Sequence, residues 1–76
     1  MKELIEFIAK KMVDHPEDVQ VRLIEGEESQ NYELHVNPED MGRIIGKNGR
    51  TAKAIRTLVS SAAAKSNVYA NLEIVE

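Results

Sequence analysis

The sequence predicts an α+β fold in the order helix, strand, strand, helix, helix, strand. Three observations carry that prediction. Apolar residues recur at helical spacing near the start and again from about Arg50 to Lys65. Between and after these stretches, three short runs alternate apolar and polar residues with the period of a half-buried strand. Two glycines three apart, Gly46 and Gly49, separate two helical patterns where the chain must turn sharply.

From Lys2 to about Val13, Leu4, Ile5, Ile8 and Met12 form an apolar stripe, with Lys2, Glu3, Glu6, Lys10 and Lys11 on the other side. Asp14-His15-Pro16 ends this helix, because the residue before a proline is pushed out of the α region. Val19, Val21 and Leu23 then alternate with Asp18, Gln20 and Arg22, and Tyr32, Leu34 and Val36 alternate with Asn31, Glu33 and His35. These runs predict an antiparallel hairpin with a longish polar loop over Glu25-Gly26-Glu27-Glu28-Ser29. Asn37-Pro38-Glu39-Asp40 reads as a helix start: Asn37 caps, Pro38 takes the first helical position, and the two acids complement the helix dipole. Met41, Ile44 and Ile45 supply the apolar side of a short helix that Gly46 terminates. In the following helix Ala52, Ile55, Leu58, Val59, Ala62 and Ala63 fall within one arc of about 140°. Arg50, Lys53 and Arg56 share the adjacent arc nearer the loop. Ser66-Asn67 breaks the pattern, and Val68, Ala70, Leu72 and Ile74 mark the last strand.

At 76 residues the chain reads as one domain over residues 1–76, burying only about 60% of its unfolded surface. It has no cysteine, so neither a disulfide framework nor a thiolate zinc site is expected. Met1 runs directly into a charged amphipathic pattern, and no apolar run approaches the ~18–20 residues of a membrane span. A cytoplasmic protein without a membrane partner is the expectation. The net charge of −3 conceals an asymmetry. Met41 to Ser66 holds six basic and no acidic residues, whereas the rest holds four basic and 13 acidic ones, so +6 stands against −9. One face suits an anion and another repels it. Solvation of one helix by its lysines and arginines is the plainer alternative.

Gly46-Lys47-Asn48-Gly49 is the stretch with chemical content. Its glycines admit positive φ and leave little side-chain bulk, so a ligand's backbone can lie on the loop. Lys47 offers a cation, and the next helix opens with free N–H groups. A helix C-cap at Gly46 is the competing reading. Asn48-Gly49 also suits a hairpin turn, but its flanks are helical in period. A nucleotide-binding P-loop fails, because only three residues separate Gly42 from Gly46 and Asn48 follows Lys47. No glycine pair has the dinucleotide-fold spacing. Catalysis is not expected: His15 and His35 are far apart, Glu39 and Asp40 are helix-start acids, and no serine sits in a nucleophile elbow. The same inventory predicts no metal site and no cofactor.

Ile44-Ile45-Gly46-Lys47-Asn48-Gly49-Arg50 resembles the Gly-X-X-Gly signature of KH domains, which clamp single-stranded nucleic acid. The element order resembles the type II KH topology of a three-stranded sheet and three helices. The likeness extends over nearly the whole chain. Met1-Lys2-Glu3-Leu4, Val13-Asp14-His15-Pro16, Pro38-Glu39-Asp40-Met41-Gly42 and Gly49-Arg50-Thr51-Ala52-Lys53-Ala54 are similar to the KhpA family of small single-KH bacterial RNA-binding proteins. The resemblance implies an RNA chaperone acting on transcripts after synthesis, linked to cell-wall homeostasis and cell shape. It also implies pairing with itself or with a larger multidomain KH protein. Gly46, Lys47, Asn48 and Gly49 would carry the clamp, and three or four of Arg43, Lys47, Arg50, Lys53 and Arg56 would meet phosphates. Ile44 and Ile45 would floor the groove, Ile45 being equally a core candidate, and Tyr32 to Val36 would form its opposite wall. The groove lacks a stacking platform, since the only aromatics are Phe7, Tyr32 and Tyr69. A protein-interaction module remains the alternative, with Ala62-Ala63-Ala64 permitting close helix contact or merely favouring the helix.

Overall fold

In a computed structural model, which describes residues 1–75, three helices cover one face of a three-stranded sheet. The elements are α1 (Lys2–Met12), β1 (Gln20–Glu25), β2 (Ser29–His35), α2 (Met41–Ile45), α3 (Arg50–Ala64) and β3 (Tyr69–Val75). This is the α-β-β-α-α-β order expected of a type II KH domain. None of the helices among the described residues is long and apolar enough to cross a membrane.

The sheet order is β1-β2-β3, with β2 in the middle. β1 and β2 are antiparallel, pairing Val21 with Leu34 and Leu23 with Tyr32. The predicted longish loop is in fact only Gly26-Glu27-Glu28: the strands zip up to Glu25 and Ser29, and the Gly26 N–H donates to the Ser29 carbonyl at 2.7 Å. Glu25 pairs with Gln30 in the ladder, and the Tyr32 hydroxyl donates to Gln30 Oε1 at 3.0 Å, so polarity at the tip does not mark a loop. β3 joins β2 in parallel, pairing Tyr32 with Leu72, so the chain must cross over through α2 and α3 before the sheet is complete.

The core takes side chains from every helix and every strand. Ile5 (α1), Leu34 (β2), Ile44 (α2) and Val59 (α3) are all 0% exposed and belong to one cluster with Val21, Tyr32, Val36, Ile55 and Leu72. Burying each large aliphatic chain is worth roughly 1.5–3 kcal/mol. In α3 the buried stripe is narrower than the periodicity predicts: Ala52, Ile55, Val59 and Ala63 face inward, but Leu58 stays 54% exposed. A helix resting on a sheet buries less than its full apolar arc, and Leu58 lies beyond the line of contact.

The segment after β2 also departs from the expected single helix. Asn37 caps as predicted, its Oδ1 accepting from the Glu39 N–H at 2.8 Å. Pro38–Asp40 then forms one turn of 3-10 helix before the five-residue α2 begins. Asp40 is not a solvated helix-start acid. It is 1% exposed, and its carboxylate accepts the backbone N–H groups of Asp14 (3.0 Å) and His15 (3.1 Å), in the turn after α1. His15 reinforces this link: its Nε2 lies 3.3 Å from Glu39 Oε2 and its Nδ1 3.4 Å from Glu17 Oε1.

These partners raise the pKa of His15 above the ordinary 6.5, chiefly through the Glu39 hydrogen bond, aided by the charges of Asp40 and Glu39 and by Glu17, with burial opposing. A raised pKa in the folded state means that the protonated ring stabilises the fold. The contribution is complete below 6.5 and disappears as pH rises through the folded-state value. Thermal melts between about pH 6 and pH 8 are therefore expected to show a wild-type advantage over His15→Gln that shrinks as pH rises. A constant gap between the two proteins would contradict this assignment.

Candidate nucleic-acid interface

The loop is built by three positive-φ residues in four positions. Gly46 ends α2 with φ 76 and ψ 175, its N–H donating to the Gly42 carbonyl at 2.9 Å. That backbone region is essentially closed to residues with a Cβ. Asn48 (φ 58) and Gly49 (φ 73) are left-handed, and the Gly49 N–H closes the turn onto the Gly46 carbonyl at 3.2 Å. Gly46 is thus a helix C-cap and also the first residue of the turn, so those two readings do not exclude each other. The two glycines are not equivalent. A Cβ on Gly46 would stand 2.6 Å from Thr51 Cβ, whereas one on Gly49 meets nothing within 4 Å.

Lys47 and Asn48 lie exposed at the tip, with Arg50 and Lys53 exposed on the first turn of α3 beside them. Lys47, Arg50 and Lys53 enter no ion pair among the described residues, although the partner geometry of Arg43 (Asp14, 3.3 Å) shows that carboxylates do reach α2. Arg56 lies one helical turn further along α3, and its Nε donates to the Leu72 carbonyl of β3 at 3.2 Å.

That bond and its neighbour fix how α3 lies along β3. Ser60 Oγ donates to the Ala70 carbonyl at 3.5 Å, so α3 and β3 run antiparallel, with α3 on the sheet face over β3. The loop at the start of α3 therefore lies toward the C-terminal end of β3. The strand beside the helix is β3, which corrects the expectation that Tyr32 to Val36 wall the groove: β2 is the central strand, and Tyr32, Leu34 and Val36 are core residues.

The two isoleucines also separate. Ile44 is 0% exposed and offers no surface to a ligand, whereas Ile45 is 40% exposed beside Gly46. Of the expected apolar floor, Ile45 alone reaches solvent. Consecutive helical residues point about 100° apart, so one of such a pair turns inward. The exposed aromatics Phe7 and Tyr69 sit on α1 and at the start of β3, and Tyr32 is buried, so the loop has no stacking partner. Sequence periodicity missed Thr51, whose side chain fills the space against Gly46, and Asp40, which anchors α2 to a turn far away in sequence.

The contrast between the glycines sets a measurable expectation. Gly49→Ala should cost about 1–2 kcal/mol for a left-handed residue with a Cβ. Gly46→Ala should cost more, about 3 kcal/mol or above, adding a steric clash to backbone strain. Urea unfolding of both variants checks the order; equal losses would show that Thr51 does not constrain the turn.

Comparison with known proteins places this architecture. The sequence model of the KhpA/KhpB KH domain matches residues 2–74. The chain is similar to the RNA-binding protein KhpA of Clostridium perfringens, with 60% identity over 75 residues, covering 99% of this chain and 100% of that protein. It is also similar to the RNA-binding protein KhpA of Listeria monocytogenes (54% over 76 residues, all of both chains). With the RNA-binding protein KhpA of Chlamydia pneumoniae it shares 50% over 76 residues, covering this chain fully and 97% of the other. Family match, element order and the Gly-Lys-Asn-Gly turn agree along the chain: it belongs to the KhpA/KhpB family of KH domains.

Proposed function

We propose that the chain, acting as a single KH domain, binds single-stranded RNA by its sugar-phosphate backbone. The observation that carries this reading is the loop itself. Gly46 and Gly49 hold an open turn at positive φ, and Lys47, Arg50 and Lys53, exposed cations with no ion-pair partner among the described residues, sit on it and on the helical turn that follows. The relatives named RNA-binding proteins support the same reading. Grip is electrostatic and reading of base sequence is weak, because no aromatic lies at the loop for a base to stack on. Such a binder acts as an RNA chaperone and post-transcriptional regulator in the cytoplasm, on transcripts that bear on cell-wall homeostasis and cell shape.

A second reading, self-association, is favoured by the outer face of the helices. Leu4 on α1 and Leu58 on α3, both exposed, line an apolar hollow with Ile8 and Ala62, and Phe7 on α1 is 61% exposed. Ala63 is buried, so the alanine run as a whole is not the contact; Leu58 is its centre. The partner is a second copy or the KH domain of a larger protein, and the face leaves the loop free. Sedimentation from micromolar to near-millimolar concentration should show mass rising above one chain, and Leu58→Lys should hold the protein monomeric. A wild-type monomer throughout that range would leave only a heteromeric partner or an independently working domain.

The binding reading is tested by changing Lys47 and Asn48 together to Asp. Both glycines remain, and Asp tolerates the left-handed conformation that Asn48 adopts. Stability should change by less than about 1 kcal/mol. RNA affinity should fall about tenfold or more, a loss of at least ~1.4 kcal/mol, because two carboxylates would face the phosphates and one cation is gone. For the wild type, three phosphate contacts predict a slope near −2 in log K against log salt. A folded double variant with undiminished affinity would reduce the loop to a connector.

A further inference from the structure

Arg43 differs from the other cations of the basic segment. Its Nη2 lies 3.3 Å from Asp14 Oδ2, whereas Lys47, Arg50, Lys53 and Lys65 meet no carboxylate among the described residues. Asp14 is not free to wander from this position. Its backbone N–H is bound by Asp40 Oδ1, the carboxylate at the head of α2, so the turn after α1 is pinned one helical turn from Arg43. The same turn carries Glu17 and Asp18 and faces Glu39, with His15 between Glu17 and Glu39 and Asn37 donating to Asp18. The α1 side of α2 is thus acidic, while the α3 side of the loop is basic.

A carboxylate and a phosphate are alternative ligands of the same kind for a guanidinium. Both side chains of the pair are largely exposed, 60% for Arg43 and 65% for Asp14, so the pair is weak enough for a phosphate to break. We propose that Asp14 is an intramolecular competitor of the RNA backbone for Arg43. RNA on the loop gains Arg43 only by displacing Asp14, and the acidic turn directs the strand toward α3 and β3. This rests on the RNA-binding reading above.

The test is a cycle of variants titrated with oligouridine at two salt concentrations. Asp14→Asn keeps the size of the side chain and the N–H that Asp40 holds. It should tighten binding about fivefold near 50 mM salt and about twofold near 200 mM, steepening the salt slope by about 0.7, one further phosphate contact. Arg43→Gln in the Asp14→Asn background should remove the gain, and alone it should weaken binding by less than the roughly fivefold that Asp14→Asn adds. Glu17→Gln removes the same charge from the same turn but has His15 as partner, so it should leave the slope unchanged. Equal gains and equal slopes for Asp14→Asn and Glu17→Gln would overturn the competition in favour of a general field. A large loss from Arg43→Gln alone would overturn it too, by showing Arg43 already engaged. Wild type that binds no oligouridine at low salt would sink the binding reading and this inference together. Wild type that binds, with Asp14→Asn unchanged, would sink the inference alone. Asp14→Ser repeats the measurement should the amide variant melt early.

Discussion

Helix α2 has five residues, far too few to be stable by itself, and the loop hangs from its end. It stands because both of its ends are tied down. At its head the buried carboxylate of Asp40 takes two backbone N–H groups from the turn after α1; near its other end Ile44 is sealed into the core. Hydrogen bonds to a charged acceptor contribute about 1.5–3 kcal/mol each, and a buried carboxylate stripped of them would destabilise by at least as much. The position of Gly46, and with it the direction in which α3 departs, follows from this anchorage.

Much of this was readable from the chain. The alternations over residues 19–36 report which face of β1 and β2 is covered, because a strand's period is two and a slip by one residue would bury Glu33 or Arg22. Asn37 announces its cap by type and place. Gly46 and Gly49 mark positions that only small or left-handed-tolerant residues fill. What was not readable is long-range. Whether Ile44 or Ile45 enters the core depends on the rotation of α2, and that is set by Asp40 and the turn after α1. The burial of Asp40 itself has no local signature, since Asp and Glu at a helix start look alike until one finds N–H groups 25 residues away. Leu58 looks like core by period and is surface by geometry. The position of β2 between its neighbours, which removes Tyr32 to Val36 from the groove, depends on the parallel return of β3.

The charge pattern becomes intelligible on this scaffold. Acids cluster at the hairpin tip and at the turn after α1, cations along the loop and the first half of α3. The two populations meet at α2, where Arg43 pairs with Asp14. A protein of negative net charge can therefore present a positive edge, because Debye screening at physiological salt confines each cluster's influence to about 8 Å.

The parallel pairing of β3 with β2 has a consequence for how the molecule assembles. Partners in the hairpin, such as Leu23 and Tyr32, are close in sequence, whereas Ser29 pairs with Tyr69 across 40 residues. Closing so long a segment is entropically costly and slow compared with zipping a hairpin. On a nascent chain the hairpin can close while β3 is still unmade, and β2 then waits with one edge unpaired. The Gly-Lys-Asn-Gly turn lies within the stretch that must fold back before the third strand docks. Its open, glycine-rich backbone is thus also the bend through which the crossover closes the sheet.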